Sequence, residues 1–237
     1  MNEWKTIWNG KTVDISNAES EFAIFRELKK ADGFDVAVGD AEAYYRSFYE
    51  EWMDFYDKLN ELATKKINSV YEVGCGSGVN LFMFKNRGIE RLGGLDYSES
   101  LIQNAKDVTK CDDIVNKEAS QLSEEIKYDL VMAESVFQYF DNLEYAEQVL
   151  RKMLNKSTGI VYLGEIHDVQ YEEELMEYRK RTIENYDEKY KGLSKLFYSK
   201  EWIEFIAGDR NVVYTKKDNR EYINSKYCFN CFILAKS

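Results

Sequence analysis

The chain of 237 residues contains no proline, a single histidine and only four cysteines. The cysteines are Cys75, Cys111, Cys228 and Cys231. They do not form the paired framework expected of a small exported domain, so no disulfide scaffold is predicted. Cys228 and Cys231 make a CxxC, but no second ligand pair accompanies it, and the surrounding Tyr227 to Leu234 reads as an aromatic-rich buried strand. Buried thiols and no metal are therefore expected. No apolar run approaches the roughly 20 residues that cross a bilayer, and Met1 to Lys5 has neither a basic start nor an apolar leader. These features predict a cytoplasmic protein with no membrane partner. Basic patches are also lacking: 32 basic residues face 43 acidic ones, for a net charge of −11, and pairs such as Lys65-Lys66 and Lys216-Lys217 are short. Phosphate backbones are repelled by such a surface, which argues against nucleic acid as a partner.

With no internal repeat or low-complexity stretch, the chain reads as one large α/β unit with an irregular beginning. Residues 1–66 are expected to form a helical cap or lid. Within it, Tyr44 to Tyr56 clusters aromatics at helical spacing among acidic neighbours, as in one or two amphipathic helices. From Ser69, short apolar runs alternate with helix-length segments, the pattern of βαβ units and a mostly parallel sheet. Strands are predicted at 69–73, 91–95, 114–117, 128–133 and 160–164, with helices at about 77–86, 98–108 and 143–154. After Gly164 a charged helical insertion is expected at about 169–207. Two last strands, near 211–217 and 227–235, read as an antiparallel hairpin closing the sheet edge. The expected fold is Rossmann-like and doubly wound, with seven strands.

The strongest local signal is Glu72-Val73-Gly74-Cys75-Gly76-Ser77-Gly78, placed where a buried strand gives way to a helix. Glycines there allow a sharp turn and close backbone approach to a ligand, and the helix start beyond offers free N–H groups. The spacing matches neither G-x-G-x-x-G nor the phosphate loop. Asp96, at the end of the next strand, stands where a carboxylate accepts hydrogen bonds from ribose hydroxyls. Beside it, Tyr97 can lie against an adenine face, and Ser98 opens the following helix. Glu118-Ala119-Ser120 and Ala133-Glu134-Ser135 follow the third and fourth strands, so all four elements share the carboxyl edge at which open α/β sheets bind ligands.

Together these residues resemble the class I S-adenosylmethionine-dependent methyltransferases. The glycine turn is similar to their first motif, Asp96 to their ribose acid, and Tyr128 to Phe140 to their fourth motif; the resemblance spans about Ser69 to Asp168. It implies S-adenosylmethionine as cofactor, held by Glu72, Gly74, Cys75, Gly76, Gly78, Asp96, Tyr97, Ser98, Glu118, Ala119, Ser120 and Glu134. Leu196 to Trp202 and Tyr227 to Asn230 are similar to segments of small-molecule methyltransferases of bacterial surface-polysaccharide pathways. That further likeness implies a sugar or nucleotide-linked sugar hydroxyl as acceptor.

Methyl transfer is an in-line displacement, so alignment of acceptor and donor is the enzyme's main task. A hydroxyl acceptor also calls for a base. His167, after the fifth strand, is the first candidate and Glu134 its rival; Gln138 stands where some relatives carry a histidine, and an amide cannot serve. Tyr44, Tyr45, Tyr49 and Tyr198, with Gln138, are candidates for the acceptor pocket or lid. Methylation of an amine is the alternative, and a dinucleotide oxidoreductase on the same type of sheet is the reading from a different class. The family's motif for methylating nucleic-acid amino groups needs two prolines, which this chain lacks. Oligomeric state, including a homodimer, is left open by the sequence.

Overall fold

A computed structural model of the protein describes residues 11, 13–34, 40–191, 193 and 195–236. Parts of the expected cap (1–10, 12 and 35–39) and of the insertion (192 and 194) lie outside the described residues. A seven-stranded sheet runs in the order β3-β2-β1-β4-β5-β7-β6, with β1 Ser69–Val73, β2 Arg91–Asp96, β3 Ile114–Asn116, β4 Tyr128–Glu134, β5 Ser157–His167, β6 Val212–Lys216 and β7 Cys228–Leu234. The first five strands pair in parallel, while β7 is antiparallel to both β5 and β6. This is the Rossmann-like sheet with an antiparallel carboxyl-side hairpin that the alternating pattern anticipates.

The helices are α1 Glu21–Ala31, α2 Ala41–Leu62, α3 Val79–Asn86, α4 Glu99–Thr109, α5 Leu143–Lys156, α6 Glu172–Thr182, α7 Tyr186–Lys189 and α8 Lys200–Ala207. Their starts follow capping chemistry: Ser20, Asp40, Ser98, Asn142 and Ser199 each accept a backbone N–H of the first turn. Two apolar layers result. On one face Phe25 and Leu28 of α1 and Phe48 and Trp52 of α2 join Val70, Leu130, Met132 and Ile160 of the sheet in a single cluster. On the other, Ala146, Val149, Leu150 and Met153 of α5 and Ile203 and Ile206 of α8 cover Val73, Val131, Ala133 and Val161. Burial on both faces accounts for the largely apolar sequences of β1 and β4. Among the described residues, no helix is long and apolar enough to cross a membrane.

The expected insertion at about 169–207 is broken into short pieces: Ile183 ends α6, and Asn185, in a left-handed conformation, starts the short α7. β5 is longer than the expected 160–164. A bulge between Leu163 and Ile166 lets it run past Gly164 to His167 while re-aiming its side chains.

Candidate active site

The strand order reverses between β1 and β4, and a cavity of about 320 Å³ opens at the carboxyl ends of these strands. Its floor is the turn from Glu72 to Gly76, and its walls carry Asp96, Tyr97, Glu118, Ala119, Ser120, Glu134, Ser135, Tyr139 and Tyr145. Gly76 has φ +50°, and a Cβ there would stand 2.5 Å from Asp32 Oδ1, so only glycine fits this closed turn. Asp96 accepts the Gly76 N–H at 3.0 Å and the Ser98 N–H at 2.8 Å. The turn and the second strand are thereby fixed to one another. Burial pushes the Asp96 carboxyl up from its usual value, against the pull of these N–H groups.

Glu72 is 2% exposed; Asn80 donates to its Oε1 at 2.6 Å, and its Oε2 is buried without a partner. Burial holds its pKa well above the carboxylate range. A buried carboxyl oxygen with an unfilled valence on a cavity wall is a place for a ligand donor. Glu134 closes the far end. Lys217, whose side chain is only 2% exposed, reaches Glu51 at 2.7 Å, Glu134 at 3.3 Å and Glu165 at 3.7 Å. Burial works against the Lys217 ammonium, but the three carboxylates outweigh it and keep its pKa well above the usual value. Burial likewise raises the pKa of Glu134, more than Lys217 and Lys29 lower it. A second cavity, of about 530 Å³, lies between α2 and the segment after β6 and shares Lys29, Asn80 and Glu134 with the first.

Ten of the twelve residues expected at the cofactor line the first cavity; Gly78 and Ser98 do not. Gly78 is the N-cap of α3, set against Ala105, and Ser98 is the fully buried N-cap of α4. The Ser120 N–H is bonded to Tyr145 Oη at 3.1 Å. The two proposed bases part company: Glu134 is on the wall, whereas His167 is 1% exposed and lines neither cavity. Tyr44, Tyr45, Tyr49, Gln138 and Tyr198 are also absent from both linings. Tyr49 donates to Glu21 at 2.7 Å, Tyr45 to the Phe34 carbonyl at 2.6 Å and Tyr198 to the Phe137 carbonyl at 2.7 Å, so these hydroxyls hold the scaffold.

Lys29 and Asp32, which sequence reasoning passed over, come from the end of α1. Asp32 accepts both the Ser77 N–H at 2.7 Å and the Ser77 hydroxyl at 2.9 Å, and burial pushes its pKa up to about 6. The one local hint was Asp32-Gly33, a helix stop, which says where α1 ends but not what it faces. Lys217 lies 83 residues from Glu134, and nothing in the intervening sequence marks the pairing.

Residues 71–160 match a family model described as a methyltransferase domain. Over that segment, which is less than half of its length, the chain is similar to that family. Among curated relatives, peramine synthetase of Metarhizium majus is 25% identical over 203 residues, covering 77% of this chain and 7% of the relative. Enniatin synthetase of Fusarium oxysporum is 30% identical over 174 residues, covering 67% of this chain and 5% of the relative. The chain thus spans a small fraction of the length of these relatives. Among solved structures, magnesium protoporphyrin IX methyltransferase from Synechocystis PCC 6803 with bound SAH superposes with a TM-score of 0.62 at 15% identity, covering 92% of this chain and 100% of that one. The chain shares its fold with that enzyme. The likeness implies S-adenosylmethionine as cofactor, and the cavity suits it in three respects: a glycine turn that has no room for a Cβ, a carboxylate at the end of β2, and the unpartnered oxygen of Glu72.

Proposed function

We propose that this protein is a methyltransferase that transfers the methyl group of S-adenosylmethionine to a hydroxyl of a small polar acceptor such as a sugar or a nucleotide-linked sugar. The observation that carries this reading is the position of Glu134, on the wall between the two cavities and fixed there by Lys217. Asp96 would hold the ribose, Tyr97 the adenine, and Glu72 with the glycine turn the amino-acid end. When bound, the cofactor supplies a methyl carbon activated by its sulfonium. Glu134 takes the proton that the acceptor hydroxyl loses as its oxygen forms the new bond to carbon. A carboxyl with an upward-shifted pKa is the stronger base for this step, and the Lys217 ammonium favours its ionised form against burial. His167, the other candidate base, lies outside both linings, so the role passes to Glu134.

A second reading, transfer to an amine, is favoured by the carboxylates Glu51, Glu134 and Glu165 grouped around one lysine and by the likeness to peramine synthetase and enniatin synthetase. A neutral amine needs less help from a base. Glu134→Gln separates the two: a hydroxyl acceptor predicts a loss of about a hundredfold or more in kcat, with binding of S-adenosylhomocysteine retained. Near-normal turnover would discard the hydroxyl reading in favour of the amine. Acceptors are found by incubating candidate sugars, sugar nucleotides and amines with the donor and looking for the mass gain of one methyl group.

A further inference from the structure

The glycine turn offers a ligand room but no hydrogen bonds. The Gly74 and Cys75 N–H groups donate to the Leu95 carbonyl at 2.8 and 3.0 Å, and the Gly78 N–H to the Cys75 carbonyl at 2.8 Å. Between them, the Gly76 N–H is taken by Asp96 at 3.0 Å and the Ser77 N–H by Asp32 at 2.7 Å. A ligand carboxylate therefore finds no free donor from Gly74 to Gly78, and its charge has to be matched from elsewhere on the wall. Among the described residues, two cations line this cavity, Lys29 and Lys117. Lys117 is exposed and follows β3, its N–H bonded to the Asp96 carbonyl on the far side from Glu72.

Lys29, in the last turn of α1, is 8% exposed and lines both cavities. Among the described residues its ammonium makes no hydrogen bond and no ion pair; it lies 4.2 Å from the ring centre of Phe34 and 5.0 Å from that of Phe48. Aromatic faces hold a cation in place without neutralising it. Three residues on, Asp32 ties the same helix end to Ser77 at 2.7 and 2.9 Å, which fixes where Lys29 can reach. The wall thus presents two complementary groups to an α-amino acid: the unpartnered Oε2 of Glu72 for its ammonium and Lys29 for its carboxylate. We infer that Lys29 pairs with the α-carboxylate of the donor, and that the donor thereby fastens α1 to the sheet. Because α1 and α2 share one apolar cluster and α2 walls the second cavity, the donor then completes that wall before an acceptor arrives. The inference rests on the methyl-transfer reading.

Calorimetry on the full chain compares S-adenosylhomocysteine with 5′-methylthioadenosine, which keeps the nucleoside and the sulfur but has no amino-acid end. Lys29→Met should weaken S-adenosylhomocysteine by about tenfold or more, the effect of losing one charge-assisted pair, and leave 5′-methylthioadenosine unchanged. Lys29→Arg, which keeps the charge, should recover most of the loss. Hydrogen exchange read by mass spectrometry follows the cap: S-adenosylhomocysteine should slow exchange across α1, residues 21–31, in the wild-type chain, and 5′-methylthioadenosine should not. This second measurement decides alone should Lys29→Met fold poorly. Equal weakening of both ligands would make Lys29 a scaffold residue, and unchanged affinity for S-adenosylhomocysteine would give the carboxylate to the first turn of α3; either result overturns the inference, as does exchange in α1 that ignores the amino-acid end. A wild-type chain that binds neither ligand would remove the donor reading itself, whereas one that binds both, with Lys29→Met indifferent, fails the inference alone.

Discussion

Ser135 and Glu165, at the ends of neighbouring strands β4 and β5, both adopt left-handed backbone conformations, with φ +57° and +54°, and are joined by a 2.5 Å hydrogen bond from the serine hydroxyl to the carboxylate. Non-glycine residues occupy that region at a cost of roughly 1–3 kcal/mol each, and they persist where the surroundings over-determine them. Here the surroundings are Tyr222, donating to Glu165 at 2.7 Å, Asn230, whose side-chain oxygen accepts the Glu165 N–H at 2.9 Å, and Lys217. Strain is concentrated beside Glu134, at the carboxyl edge of the sheet.

Burial raises the Glu165 pKa, but Lys217, Ser135 and Tyr222 together outweigh it and leave the carboxyl below its ordinary value. A carboxyl depressed in the folded state contributes stability above its unfolded pKa and loses it as pH falls through the folded one. Lys217→Met removes the cation and leaves three carboxylates close together. It should cost about 3–5 kcal/mol near pH 7. Part of this should return as the pH is lowered toward about 5, because the unpaired carboxyls then protonate more readily in the folded state than in the unfolded one. Urea titrations of both proteins at several pH values measure this, and an undiminished deficit at low pH would contradict it.

Gly164 is the space in which Glu134 sits: a Cβ there would lie 1.6 Å from Glu134 Oε2 and 2.7 Å from Tyr162 Oη. Gly164→Ala should therefore displace Glu134 and cut kcat by about a hundredfold, the effect of shifting a reacting group by roughly an ångström. Binding of S-adenosylhomocysteine should change little. Steady-state kinetics beside calorimetry tells the two apart, and full activity in the variant would show that Glu134 need not stay where it is.

Asp32, with its pKa raised by burial to about 6, holds its proton more tightly folded than unfolded. Its contribution is fully present below the unfolded pKa and is lost as pH rises through the folded one. Asp32→Asn should thus stabilise the chain above about pH 6, by roughly 1–2 kcal/mol, and not below about pH 4. The same change removes a negative charge from the cavity wall, so cofactor binding should weaken while stability improves. Thermal melts across this pH range, with and without S-adenosylhomocysteine, report both effects.

Asp96→Ala removes the carboxylate that ties β2 to the glycine turn and faces the cavity. Loss of its charge-assisted hydrogen bonds should weaken S-adenosylhomocysteine by about 1.5–3 kcal/mol. Calorimetry checks this, and unaltered affinity would take Asp96 out of the site.

Much of the fold was legible because it rests on local chemistry. The strand–glycine–helix junction at Glu72 to Gly78, the cap at Ser98 and the carboxyl-edge placement of Asp96, Glu118 and Glu134 follow from periodicity and turn residues close together in the chain. The bulge at Glu165 was not legible: Gly164 reads as the end of a strand, and only the Asn230 side chain, 65 residues away, lets the backbone continue through it. Lys217 and Asp32 were invisible for the same reason, since their roles arise from contacts that no spacing encodes. His167 is a different case: its place at the end of β5 suits a base, but the segment from Leu196 to Tyr198 runs over it, the Tyr198 N–H donating to the His167 carbonyl, and it lines neither cavity.

Because β7 follows β6 in the chain yet lies between β6 and β5 in space, β6 has no partner when it leaves the ribosome. For as long as residues 228–234 are still to be made, two strand edges stand open, the kind of intermediate that invites mispairing between nascent chains. Asn230 arrives with that same strand and is the residue that props up Glu165. Synthesis of the reactive edge is therefore completed late, and chaperone demand should be greatest in that interval.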